Sequence, residues 1–133
     1  MKNVMITGGA GFIGMHLALT LKRRGCSVSI FDNLTRARKP DHPGFLQSDI
    51  RDRAALQSAC QGIDTIFHLA AQSSVLSASL DPGECVSTNV AGTAAVIDVA
   101  ADAGVCRVVF TSSREVYGEA ISLPVSEDAL LRP

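Results

Sequence analysis

Three glycines, Gly9, Gly11 and Gly14, stand in a G-x-G-x-x-G spacing directly after the apolar run Val4-Met5-Ile6 and before a run of helical character. Glycines so spaced let a strand turn sharply into a helix, bring backbone close to a phosphate, and pack the helix tightly. The first N–H groups of that helix and its dipole then attract an anion. A second apolar run, from Val28 to Phe31, ends in Asp32, 18 residues past Gly14. A carboxylate there accepts hydrogen bonds from ribose hydroxyls and repels a 2′-phosphate, so the two features together predict an adenine dinucleotide, NAD rather than NADP. Arg36, Arg38 and Lys39 follow the acid. They could receive a 2′-phosphate, but a solvated basic loop is the favoured reading of so short a run.

These residues need an alternation of strands and helices to bring them together, and the chain supplies one. Strands are expected at 3–7, 28–31, 44–47, 65–69 and 107–111, with helices at about 12–24, 51–60 and 82–103. The first helix carries Phe12, Ile13, Leu17, Leu19 and Leu21, with Lys22, Arg23 and Arg24 in its last turn and Gly25 as its stop. Residues 33–43, with Pro40, Pro43 and several charges, read as a loop. The alternation predicts an α/β fold of the Rossmann type: a doubly wound parallel sheet, strand order 3-2-1-4-5, with its switch point between the first and fourth strands. Ligands then gather where Gly8–Gly14, Asp32, Asp49 and Ile50, His68–Gln72 and Thr111–Ser113 leave their strands. Asp49 has two readings of equal weight, contact with the adenine end or an N-cap for the helix that follows.

The bulk numbers set limits. At 133 residues the chain is one domain by size, and 47% hydrophobic content suits a sheet covered on both faces. A net charge of −1 gives no footprint for nucleic acid or anionic membrane, and neither partner is expected. Lys2 is followed by only a short apolar run, which does not make a signal peptide, and no stretch approaches the ~20 apolar residues of a membrane span. Cys26, Cys60, Cys85 and Cys106 lack C-x-x-C spacing, and His16, His42 and His68 lack ligand spacing. The expectation is four thiols in a cytoplasmic protein without a metal.

Thr7-Gly8-x-x-Gly11-x-x-Gly14, Asp32-Asn33-Leu34, His68-Leu69-Ala70-Ala71, Asp81-Pro82, Asn89-Val90-x-Gly92-Thr93 and Ser112-Ser113-x-x-Val116-Tyr117-Gly118 occur in that order. In them the whole chain resembles the extended short-chain dehydrogenase/reductases, and within these the NAD-dependent nucleotide-sugar epimerases and dehydratases. The resemblance implies cofactor contacts from Gly8, Gly11, Phe12, Ile13 and Gly14, from Asp32, Asn33 and Leu34, from Asp49 and Ile50, and from Leu69, Ala70, Ala71 and Gln72. It implies that Ser113 hydrogen-bonds the reacting hydroxyl, and that Asn89 ties its helix to the neighbouring strand as structural support. It also implies a nucleotide-sugar substrate, oxidised by hydride transfer to NAD and usually reduced again.

The family's base is the tyrosine of a Y-x-x-x-K, and this chain departs there. Tyr117 is the only tyrosine, Ile121 stands four residues on, and no lysine follows Lys39. The expectation is therefore the front part of a longer enzyme, which binds NAD without turnover, since losing a general base typically removes about 10²–10⁴-fold of rate. Tyr117 is expected to anchor its turn by packing. Glu115 sits where dehydratases carry a catalytic glutamate, but Arg114 replaces the acid before it, so epimerisation is favoured over dehydration, and an ion pair with Arg114 or a solvated charge is the favoured reading of Glu115. A decarboxylase acting on UDP-glucuronate is the runner-up, and a non-catalytic NAD-binding or sensing module or an inactive fragment is the alternative outside catalysis. Finally, Val86, Val90, Ala94, Ile97 and Ala101 recur at helical spacing, with Ala91, Ala95 and Val99 widening the stripe. A helix apolar on two sides predicts a homodimer through 82–103.

Overall fold

The computed structural model describes residues 2–119 and 122–133. Its strands β1 (Asn3–Thr7), β2 (Ser27–Asp32), β3 (Phe45–Gln47), β4 (Thr65–His68) and β5 (Arg107–Phe110) form one parallel sheet in the expected order, β3-β2-β1-β4-β5. Past Asn3 the central strand is withdrawn from solvent, with Val4, Met5, Ile6 and Thr7 all at 0% exposure. Its side chains alternate between two cores, as a strand covered on both faces must. Val4 and Ile6 pack with Ala18, Leu21, Val28 and Ile30 beneath α1 (Phe12–Arg23). Met5 packs on the other face with Leu56, Ile66, Val96 and Val99, beneath α2 (Arg53–Ala59) and the helix from Thr93 to Asp102.

The helices differ from expectation in three ways. In α1 the buried residues are Gly14, Ala18 and Leu21, whereas Phe12 and Ile13 are 82% and 65% exposed. The apolar stripe is narrower than the sequence suggested, because the first turn hangs over the end of the sheet. Helix α2 starts two residues late, at Arg53, since Asp52 is its cap: the Ala55 N–H donates to Asp52 Oδ1 at 3.0 Å. That corrects the cap reading of Asp49.

The third difference lies in the segment expected as one helix over 82–103. A short helix, α3 (Val75–Leu80), precedes it unannounced, capped where the Ser77 N–H donates to Ser74 Oγ at 3.3 Å. Next comes α4 (Pro82–Val86), with Asp81 as cap and Pro82 in the first turn, a π-helical segment over Ser87–Gly92, and α5 (Thr93–Asp102). Residues 33–43 carry neither helix nor strand, as expected, and β3 begins at Phe45 rather than Gly44.

Two buried polar side chains join the layers. Thr7 and His68 are 0% and 1% exposed; Thr7 Oγ1 lies 2.6 Å from His68 Nδ1, and His68 Nε2 lies 3.0 Å from Thr93 Oγ1 on α5. Burial disfavours the imidazolium and pushes the His68 pKa below its ordinary 6.5. Desolvation, and then the charge of Lys22, pushes His42 the same way. In the unfolded chain both rings take up protons near pH 6.5, which the folded chain resists, so their contribution to stability is complete above that pH and is lost as pH falls below it. Urea denaturation midpoints measured between pH 7.5 and 5 should therefore decline from about pH 6.5 downward. A flat profile over that interval would mean that neither ring is withdrawn from water.

Candidate functional site

A cleft of about 410 Å³ opens at the carboxyl ends of the strands, where the order reverses between β1 and β4. Its floor is the turn from β1 into α1. The tight turn falls on Gly8, at φ +68°, rather than on Gly9 as the motif suggested. A Cβ on Gly8 would stand 2.6 Å from the Ala70 nitrogen, so the turn and the segment leaving β4 touch backbone to backbone. A Cβ on Gly14 would stand 2.6 Å from the Gly9 Cα: this glycine seats α1 on its own entry turn. Gly11 is the N-cap residue and brings no side-chain hydrogen bond to the first turn. The N–H groups there are left for an anion, and Gly11, Phe12, Ile13 and Gly14 all line the cleft.

Asp32, half-buried, forms the wall on the β2 side. The Ala10 N–H donates to its Oδ2 at 3.1 Å and the Leu34 N–H to its Oδ1 at 2.8 Å, which fixes the carboxylate toward the glycine turn with lone pairs to spare. Leu34 makes this possible by adopting φ +62°; it does not itself line the cleft. Asn33 does, while its side chain bridges loops: Nδ2 donates to Asp49 Oδ2 at 2.9 Å, and Oδ1 accepts from the Thr35 N–H at 3.0 Å. Arg36 is not simply solvated. It lines the cleft and reaches across it, donating from Nη1 to Gln72 Oε1 at 3.3 Å.

Behind this corner Asp49 is held by Arg51 in a forked pair, Nε to Oδ1 and Nη2 to Oδ2, each at 2.8 Å. Hydrogen bonds from that guanidinium hold the Asp49 carboxyl well below the usual carboxylate range. The other Arg51 nitrogen, Nη1, donates to Glu84 Oε2 at 2.6 Å and Ser87 Oγ at 3.1 Å, which joins the loop after β3 to α4. Asp49 stands behind the cleft wall; its neighbour Ile50 is buried, lines the cleft and packs against Gly92.

On the β4 side Leu69, Ala70, Ala71 and Gln72 line the cleft. Asn89 holds both backbone groups of Gln72: the Gln72 N–H donates to Asn89 Oδ1 at 2.8 Å, and Asn89 Nδ2 donates to the Gln72 carbonyl at 3.1 Å. From β5 the cleft takes Thr111, but Ser113 lies outside it. Its Oγ accepts the Glu115 N–H at 3.2 Å and caps the 3₁₀ turn Arg114–Tyr117. Glu115 pairs with Arg114 at 3.0 Å on an exposed surface. Ile121, in the place of the family's lysine, lies outside the described residues. Sequence reasoning missed Ser48, Glu84 and Thr88 as wall residues. Glu84 lies on α4 and Thr88 on the π-helical segment after it, and no local signal in the sequence announces either as a wall residue.

The model of the NAD dependent epimerase/dehydratase family matches residues 4–133. The chain is 36% identical to the UDP-glucose 4-epimerase of Neisseria meningitidis over 96% of its own length and 41% of the relative's. It is likewise 36% identical to that of Streptomyces lividans, over 97% and 41%. It thus spans about two fifths of the length of the curated relatives it matches. Among solved structures, the UDP-glucose 4-epimerase of Stenotrophomonas maltophila with bound NAD and formylated UDP-arabinopyranose superposes with a TM-score of 0.91 at 35% identity, over 99% of this chain and 43% of that one. The Thermus thermophilus enzyme complexed with NAD gives 0.89 at 32%, over 99% and 45%. The uncapped helix turn, the acid on β2 and the epimerase model that spans nearly every residue agree: the chain belongs to the NAD dependent epimerase/dehydratase family.

Proposed function

We propose that these residues are the NAD-holding part of a nucleotide-sugar 4-epimerase. One observation carries the reading: α1 begins without a side-chain cap in the same cleft where Asp32 is fixed by two backbone N–H groups. The chain fits the dinucleotide because the first turn of α1 offers N–H groups to a pyrophosphate and Gly8 leaves backbone bare where a Cβ would collide. Asp32 would accept from the adenosine ribose hydroxyls, Ile50 would pack against the adenine, and Ala70 and Ala71 would let the nicotinamide half pass close to backbone. The dinucleotide, when bound, supplies the acceptor and donor of a hydride. The relatives named as UDP-glucose 4-epimerases support a UDP-hexose as substrate. Epimerisation is favoured over dehydration because Glu115 is an exposed partner of Arg114.

Calorimetry should show saturable NAD binding and much weaker NADP binding, and Asp32→Ala should cost NAD about tenfold in affinity while narrowing that preference, as expected for loss of hydrogen bonds to a charged group. Equal affinity of the unaltered chain for the two dinucleotides would refute the role of Asp32.

The 133 residues contain no Y-x-x-x-K, so the chain by itself should hold NAD without converting UDP-glucose to UDP-galactose. Chromatography of the incubated sugar nucleotides checks this; turnover would place a general base among these residues.

Association is the third part of the proposal. Val86, Val90 and Ile97 are 60%, 63% and 51% exposed and share one side of the helical run with Ala94 and Ala101. A second copy packing the same stripe would cover all of them isologously. Light scattering at micromolar concentration should report a dimer, and Val90→Glu a monomer; a monomeric unaltered chain would contradict the arrangement.

A further inference from the structure

We propose that His68 is a positioning residue for the dinucleotide: as the Nε2–H tautomer it fixes the Thr7 hydroxyl, and through it the contact between the Gly8 turn and the Leu69–Ala70 wall. The inference rests on the NAD-binding reading above and deepens it.

The polarity of the bridge follows from its donors. The Ala70 N–H donates to Thr7 Oγ1 at 3.4 Å, so that oxygen already serves as an acceptor. Its own proton then goes to the nearest acceptor, His68 Nδ1 at 2.6 Å. The neutral ring must therefore carry its hydrogen on Nε2, which donates to Thr93 Oγ1 at 3.0 Å. The opposite tautomer would aim two hydrogens at Thr7 Oγ1 and leave the hydroxyl proton buried without a partner. With Thr7 and His68 both withdrawn from solvent, water cannot substitute for either.

Three elements meet at this ring. Thr7 ends β1 and precedes the Gly8 turn; its carbonyl accepts the Leu69 N–H at 3.0 Å and its hydroxyl accepts the Ala70 N–H. Thr93 opens α5, anchoring the far side of the ring to the helix that lies over β4. Because Gly8 and Ala70 meet with no side chain between them, a displacement of Thr7 moves one wall of the cleft against the other. A dinucleotide that touches both walls senses that shift, whereas AMP, held at Asp32 and Ile50, does not.

The test uses the purified chain and the variants His68→Phe, His68→Asn and Thr93→Val, each titrated with NAD and AMP where denaturation shows it folded. His68→Phe should bind NAD about tenfold more weakly with AMP affinity unchanged, while His68→Asn, whose amide oxygen can stand in place of Nδ1, should remain within about threefold of the unaltered chain. Nitrogen-15 shifts of the His68 ring at neutral pH should show the Nε2–H tautomer, and Thr93→Val should perturb them. Unchanged NAD affinity in folded His68→Phe, or an Nδ1–H ring, overturns the proposal. Should His68→Phe fail to fold, the ring shifts and the NAD affinity of Thr93→Val decide by the same criteria. An unaltered chain that binds no NAD sinks the parent reading as well, so the two failures are told apart by that first titration.

Discussion

The architecture turns on the end of the central strand. Thr7 pairs in register with Phe31 on one side and His68 on the other, and all of its polar groups serve neighbouring segments. Just beyond it the Gly8 N–H donates to the Phe31 carbonyl at 2.8 Å, while the Thr7 carbonyl and hydroxyl receive the two N–H groups that follow β4. Chain leaving three adjacent strands is thereby clamped within one peptide of a common point. A parallel sheet that reverses its winding direction must open a crevice where its crossovers diverge. In this chain the clamp ties together the two walls of that crevice.

The helical run from Pro82 to Asp102 holds the rest of the rim, by a different residue for each segment. Asn89 secures Gln72 after β4, Gly92 receives Ile50 after β3, and Thr93 secures His68. Arg51 adds an ionic link from the loop after β3 to Glu84 and Ser87. Such half-exposed pairs contribute little stability, about 1 kcal/mol or less each, so the value of the link lies in geometry. The π-helical segment over Ser87–Gly92 is part of the same device. Widening one turn changes which residues face the sheet, and π-segments tend to sit where function constrains a helix.

Most of the sheet was legible because parallel strands buried on both faces read as plain apolar runs. Val4-Met5-Ile6 and Val28 to Phe31 need no periodicity to be recognised, and right-handed crossovers leave one order for them. The glycine motif located the floor of the cleft but misassigned its turn, since sequence cannot tell which of two adjacent glycines, Gly8 or Gly9, takes the positive φ. Phe12 and Ile13 belong to the apolar stripe of the first helix on paper, yet both are exposed, because hydrophobicity does not reveal that a helix overhangs its sheet. The sequence singles out Asp49 as the acid that could cap the helix, whereas Asp52 caps it and Asp49 takes the Arg51 guanidinium. Helix α3 carries no expectation from the sequence, although Ser74 before the apolar pair Val75-Leu76 is a cap signal.

The charge around the cleft bears on how an anionic ligand would be held. Among the described residues lining it, Arg36 is the one cation, set against the carboxylates of Asp32 and Glu84. Arg36 is already engaged with Gln72, and Glu84 with Arg51. A pyrophosphate entering here meets backbone N–H groups and the end of a helix dipole rather than a cluster of basic side chains. Fixed dipoles need no reorganisation and are less screened by salt than exposed charges when the ligand covers them. The same balance works against an additional phosphate beside Asp32, where a second negative group would face a carboxylate while the Arg36 guanidinium is engaged with Gln72. The proposed preference for the unphosphorylated dinucleotide would thus follow from where Arg36 points as much as from the presence of the acid.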